Sequence, residues 1–338
     1  MRADFTGSEA AVFTLRGLYT SYGYRRYKIS KFEEYDLYAD NRSFLADQRI
    51  LTFTDTDGRL MALKPDITLS IAKNTAGGGT EKLFYDECVY RDLGGGFAEL
   101  RQTGLECIGE LDDTLTAEVA ALAYESLEAI SDGFILDLSH VGFLHGIVNS
   151  LTGVADARAA LLREAGAGSA DGIAKVGKRF GLDCTPLIRA VALYGAPDEV
   201  LPQAKEIYDC EAANALTRLC EVLKELGLYK NLRVDFSTVS DTDYYNGVLF
   251  KGYVKGVAKP VLSGGRYDPL LRKLGRKGGA IGFAVYLDEL DRLSPVTGGE
   301  PKKLFYSGDG AAQALKEAAA LRAKGEAVLL TKGGDGNE

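Results

Sequence analysis

Two pairs of β-rich runs, each pair joined by a short turn, set the strongest limit on how this chain can fold. The first pair, ILTFTDTDGRLMALKP, surrounds Asp57-Gly58, a dipeptide typical of two-residue hairpin turns. The second pair, KLFYDECVYRD and AELRQTGLECIGE, is joined by the glycine-rich loop LGGGF. Because strands joined by hairpins run antiparallel, the sequence predicts an α+β protein with an antiparallel sheet flanked by helices.

A long helical stretch interrupts this succession of strands. Segments such as LHGIVNSLTGVADARAALLREAG and EAANALTRLCEVLKELGL carry apolar residues at helical spacing. Strand patterns return afterwards, and a final strand–helix–strand pattern follows a linker that contains Pro295 and Pro301. We therefore predict a core at residues 1–295 with a helical insertion at about 145–230, and a short βαβ-like C-terminal segment at 301–338.

Composition restricts the classes of function. The 338 residues carry a formal net charge of −8, whereas sequence-independent nucleic-acid binding needs surplus Lys and Arg. The five cysteines form no Cys-x-x-Cys pair and only two histidines occur, so we expect neither a metal site nor a cofactor. No run approaches about 18 apolar residues. We expect a cytoplasmic protein without a nucleic-acid or membrane partner.

Polar residues near the ends of predicted strands and helices form the candidate site. Asp66 and Thr68 follow the first hairpin, where a helical pattern begins. The sequence leaves two interpretations of Asp66 open, because the residue could cap this helix or could belong to a pocket that holds an amine. Arg91 ends the next strand, and Tyr244 and Tyr245 precede a later one.

Gln102, Gly104 and Glu106 alternate along a single predicted strand. Because residues two apart in a strand point to the same face of the sheet, we expect these three to share a face, with Gly104 leaving space between the two polar groups. The alternative is that Glu106 is exposed to solvent on a polar face. Further along, SGGRYD (263–268, including Tyr267) begins with glycines that allow the backbone to approach a ligand. The alternative is a turn with an Arg–Asp pair, but the SGGRYD pattern resists a simple turn explanation.

The order of these motifs is similar to that of the histidyl-tRNA synthetase family. DTDGRLMALKPDITLSIAK resembles the family's hairpin and helix start, and VYRD…ELRQTGLECIGE resembles its second class II motif with the Gln-x-Gly-x-Glu amino-acid-binding signature. DYYNGVLFKGYV and SGGRYDPLL…AIGFAVYLDEL resemble its later motifs. The resemblance covers roughly residues 8–295 and implies a class II aminoacyl-tRNA synthetase-like fold with an aminoacyl-adenylate site.

Several positions depart from the family's pattern on the ATP side. Ser240 stands where the family has an arginine that contacts the reacting carboxylate and phosphate, and Glu289 stands where an arginine holds the ATP γ-phosphate. The second motif keeps Arg91 but loses its glutamate at Asp92-Leu93, and Ser30 replaces the first-motif proline. Because adenylate formation builds negative charge around phosphorus, these losses predict a chain without aminoacylation activity.

The amino-acid side of the pattern is largely kept. Asp66 replaces a glutamate of the family, and five further positions match it: Thr68, Gln102, Glu106, Tyr245 and Tyr267. The resemblance therefore implies the non-synthetase branch of the family, the regulatory subunits of ATP phosphoribosyltransferase, with no catalytic residues of their own. Such a chain is expected to activate a short-form catalytic subunit in the first step of histidine biosynthesis and to contribute to histidine feedback.

The resemblance also implies partners and a ligand. The expected assembly is a hetero-octamer of four regulatory and four catalytic chains, containing a homodimer of regulatory chains, with L-histidine as the ligand. The implied histidine-binding residues are Asp66, Thr68, Arg91, Gln102, Glu106, Tyr244, Tyr245 and Tyr267. Two alternatives stay open, a histidyl-tRNA synthetase or aminoacylating paralogue and a simple histidine-binding protein.

Within this pocket each group of ligand atoms has an expected partner. Asp66, Thr68 and Gln102 would accept hydrogen bonds from the α-ammonium group, and Arg91 would bind the α-carboxylate. Glu106 and a tyrosine hydroxyl would contact the imidazole nitrogens.

Overall fold

The strands are short at the periphery of the fold and long at its centre. The computed structural model describes residues 7–41, 44–45, 49–75, 79–92, 94–237, 244–291, 301–306 and 311–332. The strands in this part of the chain are β1 (Arg25–Arg26), β2 (Phe32–Glu34), β3 (Thr52–Thr54), β4 (Leu60–Leu63), β5 (Glu81–Asp92), β6 (Phe97–Gly109), β7 (Phe134–His140), β8 (Tyr194–Gly195), β9 (Leu232–Asp235), β10 (Val248–Val254), β11 (Leu262–Arg266), β12 (Gly279–Tyr286), β13 (Lys302–Tyr306) and β14 (Val328–Lys332).

The helices precede, connect and follow these strands. They are α1 (Gly7–Ser21), α2 (Tyr35–Ala39), α3 (Ile67–Asn74), α4 (Asp113–Ile130), α5 (Val141–Leu151), α6 (Ala155–Gly166), α7 (Ala170–Phe180), α8 (Thr185–Val191), α9 (Pro197–Ile207), α10 (Glu211–Glu225), α11 (Asp268–Lys273), α12 (Leu287–Leu290) and α13 (Ala311–Ala323). Several begin at residues that satisfy the free backbone N–H groups of the first turn, such as Asp112, whose side chain accepts from Leu115 N at the start of α4.

A nine-stranded sheet forms the centre of the fold, in the order β1-β5-β6-β12-β11-β10-β7-β9-β8. Its middle six strands pair antiparallel throughout, which confirms the predicted α+β class. Two pairs that flank these six strands depart from the antiparallel arrangement, since β1 pairs parallel with β5 and β7 pairs parallel with β9. Both parallel pairs join strands distant in sequence, where long connections allow a crossover that hairpin patterns do not reveal.

Apolar side chains pack on both faces of this sheet. On one face, Leu105 and Cys107 of β6 and Ile281 of β12 pack with α1, α4 and α10. The other face carries a second cluster that includes Ile108, Ala280 and residues of α3. Because successive side chains of a strand point to opposite faces of the sheet, residues adjacent in sequence belong to different clusters. The candidate site lies on the face of the second cluster.

The predicted first hairpin is confirmed, since β3 and β4 pair antiparallel across the turn at Gly58. Helices α5 to α10 occupy the part of the chain between β7 and β9, where the insertion was predicted. Within this part, the two-residue strand β8 pairs with β9, which the helical pattern of the sequence does not indicate. The limits of the core, the insertion and the C-terminal segment stay predictions.

The C-terminal segment forms a small unit of its own secondary structure. Strands β13 and β14 pair parallel, and α13 connects and contacts both of them, as expected for a βαβ pattern. In the described part of the chain, no helix has both the length and the apolar content needed to cross a membrane.

Candidate functional site

The eight candidate residues converge on one cavity of about 80 Å³. They come from the loop and helix after β4, the end of β5, the middle of β6, and the segments before β10 and after β11. The structure therefore brings together every site residue that the sequence predicted: Asp66, Thr68, Arg91, Gln102, Glu106, Tyr244, Tyr245 and Tyr267. Their role in histidine binding stays a prediction.

Asp66 both caps a helix and lines the cavity, and the binding of an amine by its side chain stays a prediction. Its Oδ1 accepts a hydrogen bond of 2.7 Å from the backbone N–H of Leu69, so the side chain caps α3. The same side chain lines the cavity, and burial raises the pKa of its carboxyl, while Arg91 opposes that shift. The cap fixes the position of a carboxylate at the cavity wall.

Glu106 lies at the centre of a short hydrogen-bonded chain. The Thr68 hydroxyl donates to its Oε1 at 2.7 Å, and the Tyr267 hydroxyl donates to its Oε2 at 2.5 Å. Only 2 % of the side chain is exposed, which rules out the solvent-exposed alternative. Burial raises the pKa of Glu106 to about 8, so at neutral pH the carboxyl is mostly protonated unless a cation or another proton donor contacts it.

Two glycines determine the shape of the cavity around Glu106. A β-carbon on Gly282, directly opposite on β12, would lie 1.9 Å from Glu106 Oε2, so only glycine leaves room for the carboxyl. The expectation that Gly104 leaves open space is wrong. Tyr85, opposite Gly104 on β5, fills that space, and a β-carbon on Gly104 would lie 2.6 Å from the tyrosine hydroxyl.

Aromatic rings form one wall of the cavity. The ring centroids of Tyr244 and Tyr245 are 4.5 Å apart, and those of Tyr244 and Tyr267 are 5.9 Å apart. Phe44 supports Tyr244 from behind at 5.8 Å. This wall provides flat apolar surface together with hydroxyl groups, which suits a planar ring that carries hydrogen-bonding atoms.

Arg91 is the only cation among the described residues that line the cavity. Its Nε is buried and has no hydrogen-bond partner among the described residues. A buried N–H left without a partner costs about 1–3 kcal/mol, so this position favours a ligand that brings an acceptor. With Asp66 and Glu106, the lining supplies two carboxyl groups and one guanidinium, a set that matches an α-amino acid with a basic side chain.

The lining also contains residues that the predicted set lacks, among them Tyr85, Ser263, Gly282 and Tyr286. The pairing register was the signal that could have found Tyr85 and Gly282, because each lies opposite a residue of the Gln-x-Gly-x-Glu strand. No group of three or more His, Cys, Asp and Glu side chains is arranged to hold a metal ion within the described ranges.

The positions that depart from the synthetase pattern lie mostly outside this lining. Glu289 belongs to α12, with an oxygen 3.8 Å from Lys259 Nζ. Asp92 pairs with Arg49 at 3.2 Å and accepts from the backbone N–H of Gly94. Ser240 falls outside the described residues.

Comparisons with known proteins identify the family of this chain. The family described as histidyl-tRNA synthetase matches residues 2–290. A protein named ATP phosphoribosyltransferase regulatory subunit, from Shouchella clausii, is 31% identical over 91% of this chain and 83% of its own length. A second protein of that name, from Thermoanaerobacter sp., is 33% identical over 81% of this chain and 75% of its own length.

Solved structures show the same fold. An ATP phosphoribosyltransferase regulatory subunit/histidyl-tRNA synthetase from Bacillus halodurans superposes with a TM-score of 0.81 at 27% identity, covering 98% of this chain and 91% of that one. A chain of the ATP phosphoribosyl transferase (HisG:HisZ) complex from Thermotoga maritima has a TM-score of 0.67 at 18% identity, covering 83% and 97% respectively. The chain belongs to the histidyl-tRNA synthetase family, within its group of ATP phosphoribosyltransferase regulatory subunits.

Proposed function

We propose that this chain is a non-catalytic regulatory subunit that activates the short-form catalytic subunit of ATP phosphoribosyltransferase and contributes to histidine feedback in histidine biosynthesis. L-Histidine is the proposed ligand of the cavity, and a cytoplasmic location follows from this role. The observation that carries the proposal is the lining of the cavity, in which a buried Glu106 and the unpartnered Nε of Arg91 occur together.

Each end of histidine has a partner in this arrangement. The α-carboxylate meets Arg91, where a charge-assisted hydrogen bond satisfies the buried Nε. The α-ammonium group meets Asp66, with Gln102 and the lone pairs of the Thr68 hydroxyl close by. The imidazole ring lies against the tyrosine wall with a nitrogen at Glu106, which stabilises a proton on the ring.

The lack of synthetase activity is supported by the residues on the ATP side. A carboxylate at Glu289 repels a triphosphate, whereas the family's arginine at this position attracts it. Ser240 offers only a hydroxyl where a guanidinium would stabilise the charge on the reacting groups. Both changes would weaken the binding and activation of ATP.

An exposed apolar face supports a homodimer of regulatory chains. Phe32 and Phe53 lie on the same face of the sheet formed by β2, β4 and β3, with their ring centroids 5.4 Å apart. They are 51% and 38% exposed, and Met61 of β4 lies opposite Phe53 of β3 on one side and Glu34 of β2 on the other. Exposed apolar surface of this kind is typical of protein interfaces. The complex from Thermotoga maritima is named for two components, HisG and HisZ, which supports a partner chain of a second kind. The assembly that we propose for this chain is a hetero-octamer of four regulatory and four catalytic chains.

One assay separates this proposal from an aminoacylating enzyme. The purified chain is mixed with ATP, Mg²⁺, histidine and labelled pyrophosphate, and exchange of label into ATP is followed. We expect no histidine-dependent exchange, because the residues that would stabilise the reacting phosphates are replaced. Clear exchange at a rate that depends on histidine would show that the chain is a working synthetase or paralogue.

A further inference from the structure

Three residues of β12 face the candidate site, and their side chains increase in size along the strand. Because side chains alternate, Gly282, Ala284 and Tyr286 share one face of β12, and all three line the cavity. Gly282 lies opposite Glu106, whereas Tyr286 lies opposite Gln102, about 13 Å further along the strand. The strand therefore leaves space beside Glu106 and places a phenol ring at the other end of the cavity.

The backbone on both sides of Tyr286 is held in place. The Tyr286 N–H donates to Val261 O at 2.8 Å, and the fully buried Leu287 begins α12 directly after it. The Tyr286 side chain is half-buried and lines the cavity, so it lies between the cavity and solvent. A ligand therefore cannot make room for itself by moving this part of the strand.

Tyr286 is a neighbour of the guanidinium group that is proposed to bind the carboxylate. Both Tyr286 and Arg91 line a cavity of only about 80 Å³. Burial raises the pKa of Tyr286, while contact with the Ser263 side chain and the positive charge of Arg91 oppose that shift. The ring therefore stands beside Arg91, at the end of the cavity where the α-carboxylate is expected.

The opposite end of the cavity is closed by buried groups. Glu106 and Tyr267 are each 2 % exposed, and the Tyr267 hydroxyl donates to Glu106 Oε2 at 2.5 Å. A ligand whose imidazole meets Glu106 cannot move deeper to relieve a contact at its other end. The length of the ligand is therefore limited by Glu106 on one side and by Tyr286 on the other.

We propose that Tyr286 is a specificity-determining residue that restricts this cavity to a free α-amino acid. The atoms that follow the carbonyl carbon in a peptide, an ester or an amide would meet the phenol ring, and such a clash excludes the longer ligand. The inference rests on the proposed function, because it assumes that histidine binds with its carboxylate at Arg91. A site of this kind responds to free histidine and ignores peptides that begin with histidine.

L-Histidylglycine is the probe for this restriction. It keeps the imidazole, the α-ammonium group and a terminal carboxylate, and it is longer than histidine beyond the carbonyl carbon. Binding of histidine and of the dipeptide to the full wild-type chain is compared by calorimetry. We expect histidine to bind at least about a hundredfold more tightly than the dipeptide.

Three variants separate the effect of the ring from other causes. Tyr286→Val removes the ring and keeps a residue that favours strands, so the dipeptide should bind about tenfold or more tightly than to the wild type. Tyr286→Phe keeps the ring and should still exclude the dipeptide. Tyr253→Val makes the matched change at a half-buried position of β10 outside the lining and should leave both affinities unchanged.

The outcomes distinguish this inference from the proposed function. Equal affinity of the wild-type chain for the two ligands, or equal exclusion of the dipeptide by Tyr286→Val and Tyr286→Phe, would overturn the role of Tyr286 and leave histidine binding intact. The absence of saturable histidine binding by the wild-type chain would overturn both.

Discussion

Gly282 lies directly opposite Glu106 on the neighbouring strand, and a β-carbon at Gly282 would stand 1.9 Å from Glu106 Oε2. Gly282→Ala therefore forces the carboxyl away from the Tyr267 hydroxyl or moves the strand. We expect histidine affinity, measured by calorimetry, to fall by about tenfold or more, and the free energy of unfolding to fall by about 1–3 kcal/mol.

Gly17 provides the matched control for that substitution. It is exposed within α1, and a β-carbon there would have no atom within 4 Å. Gly17→Ala should leave histidine affinity unchanged and raise the free energy of unfolding by about 0.5–1 kcal/mol, because alanine favours helix. Equal histidine affinity in Gly282→Ala and Gly17→Ala would show that Glu106 does not contact the ligand.

The stability of the unliganded chain should depend on pH through Glu106. Its carboxyl titrates near 4.5 when unfolded and near 8 when folded, so in this window the folded state holds a proton that the unfolded state has released. The free energy of unfolding should therefore fall by about 1–3 kcal/mol as pH rises from 5 to 8. Urea unfolding at a series of pH values measures this slope.

Two variants assign that slope to individual groups. Glu106→Gln removes the pH dependence of stability that comes from the titration of the Glu106 carboxyl. Asp137→Asn removes a second part, because burial and the neighbouring Asp235 raise the pKa of Asp137 to about 7. A slope that is the same in the wild type and in Glu106→Gln would contradict the assigned protonation state.

Arg91 should discriminate between ligands with and without a carboxylate. Wild-type chain is expected to bind histidine about tenfold or more tightly than histamine, because only histidine satisfies the buried Nε of Arg91. Arg91→Met should lower the affinity for histidine and leave that for histamine nearly unchanged, as measured by calorimetry. An equal loss for both ligands would place Arg91 away from the carboxylate.

The fold and the members of the site were largely predictable from local patterns. Hairpin turns and strand alternation identified β3 to β6, and the resemblance placed Asp66, Arg91 and Glu106 in one pocket that the structure contains. These features depend on residues close together in sequence or on a complete motif, so no long-range information was needed.

Features that depend on pairing between distant strands were not predictable. Gly282 makes room for Glu106 because of the register of β12, which is distant in sequence, against β6. The parallel pairing of β7 with β9 follows a connection of six helices, α5 to α10, within the described residues. Register across such connections is set by the packing of the whole sheet, and local pattern does not contain it.

The rate of a short-form ATP phosphoribosyltransferase catalytic chain, measured with increasing amounts of this protein, tests the proposed function most directly. We expect the rate to rise and to saturate as the two chains assemble. We expect the variant Glu106→Gln, which alters only the ligand cavity, to give the same activation. A catalytic rate that stays the same at every concentration of added protein would show that this chain does not activate the catalytic subunit.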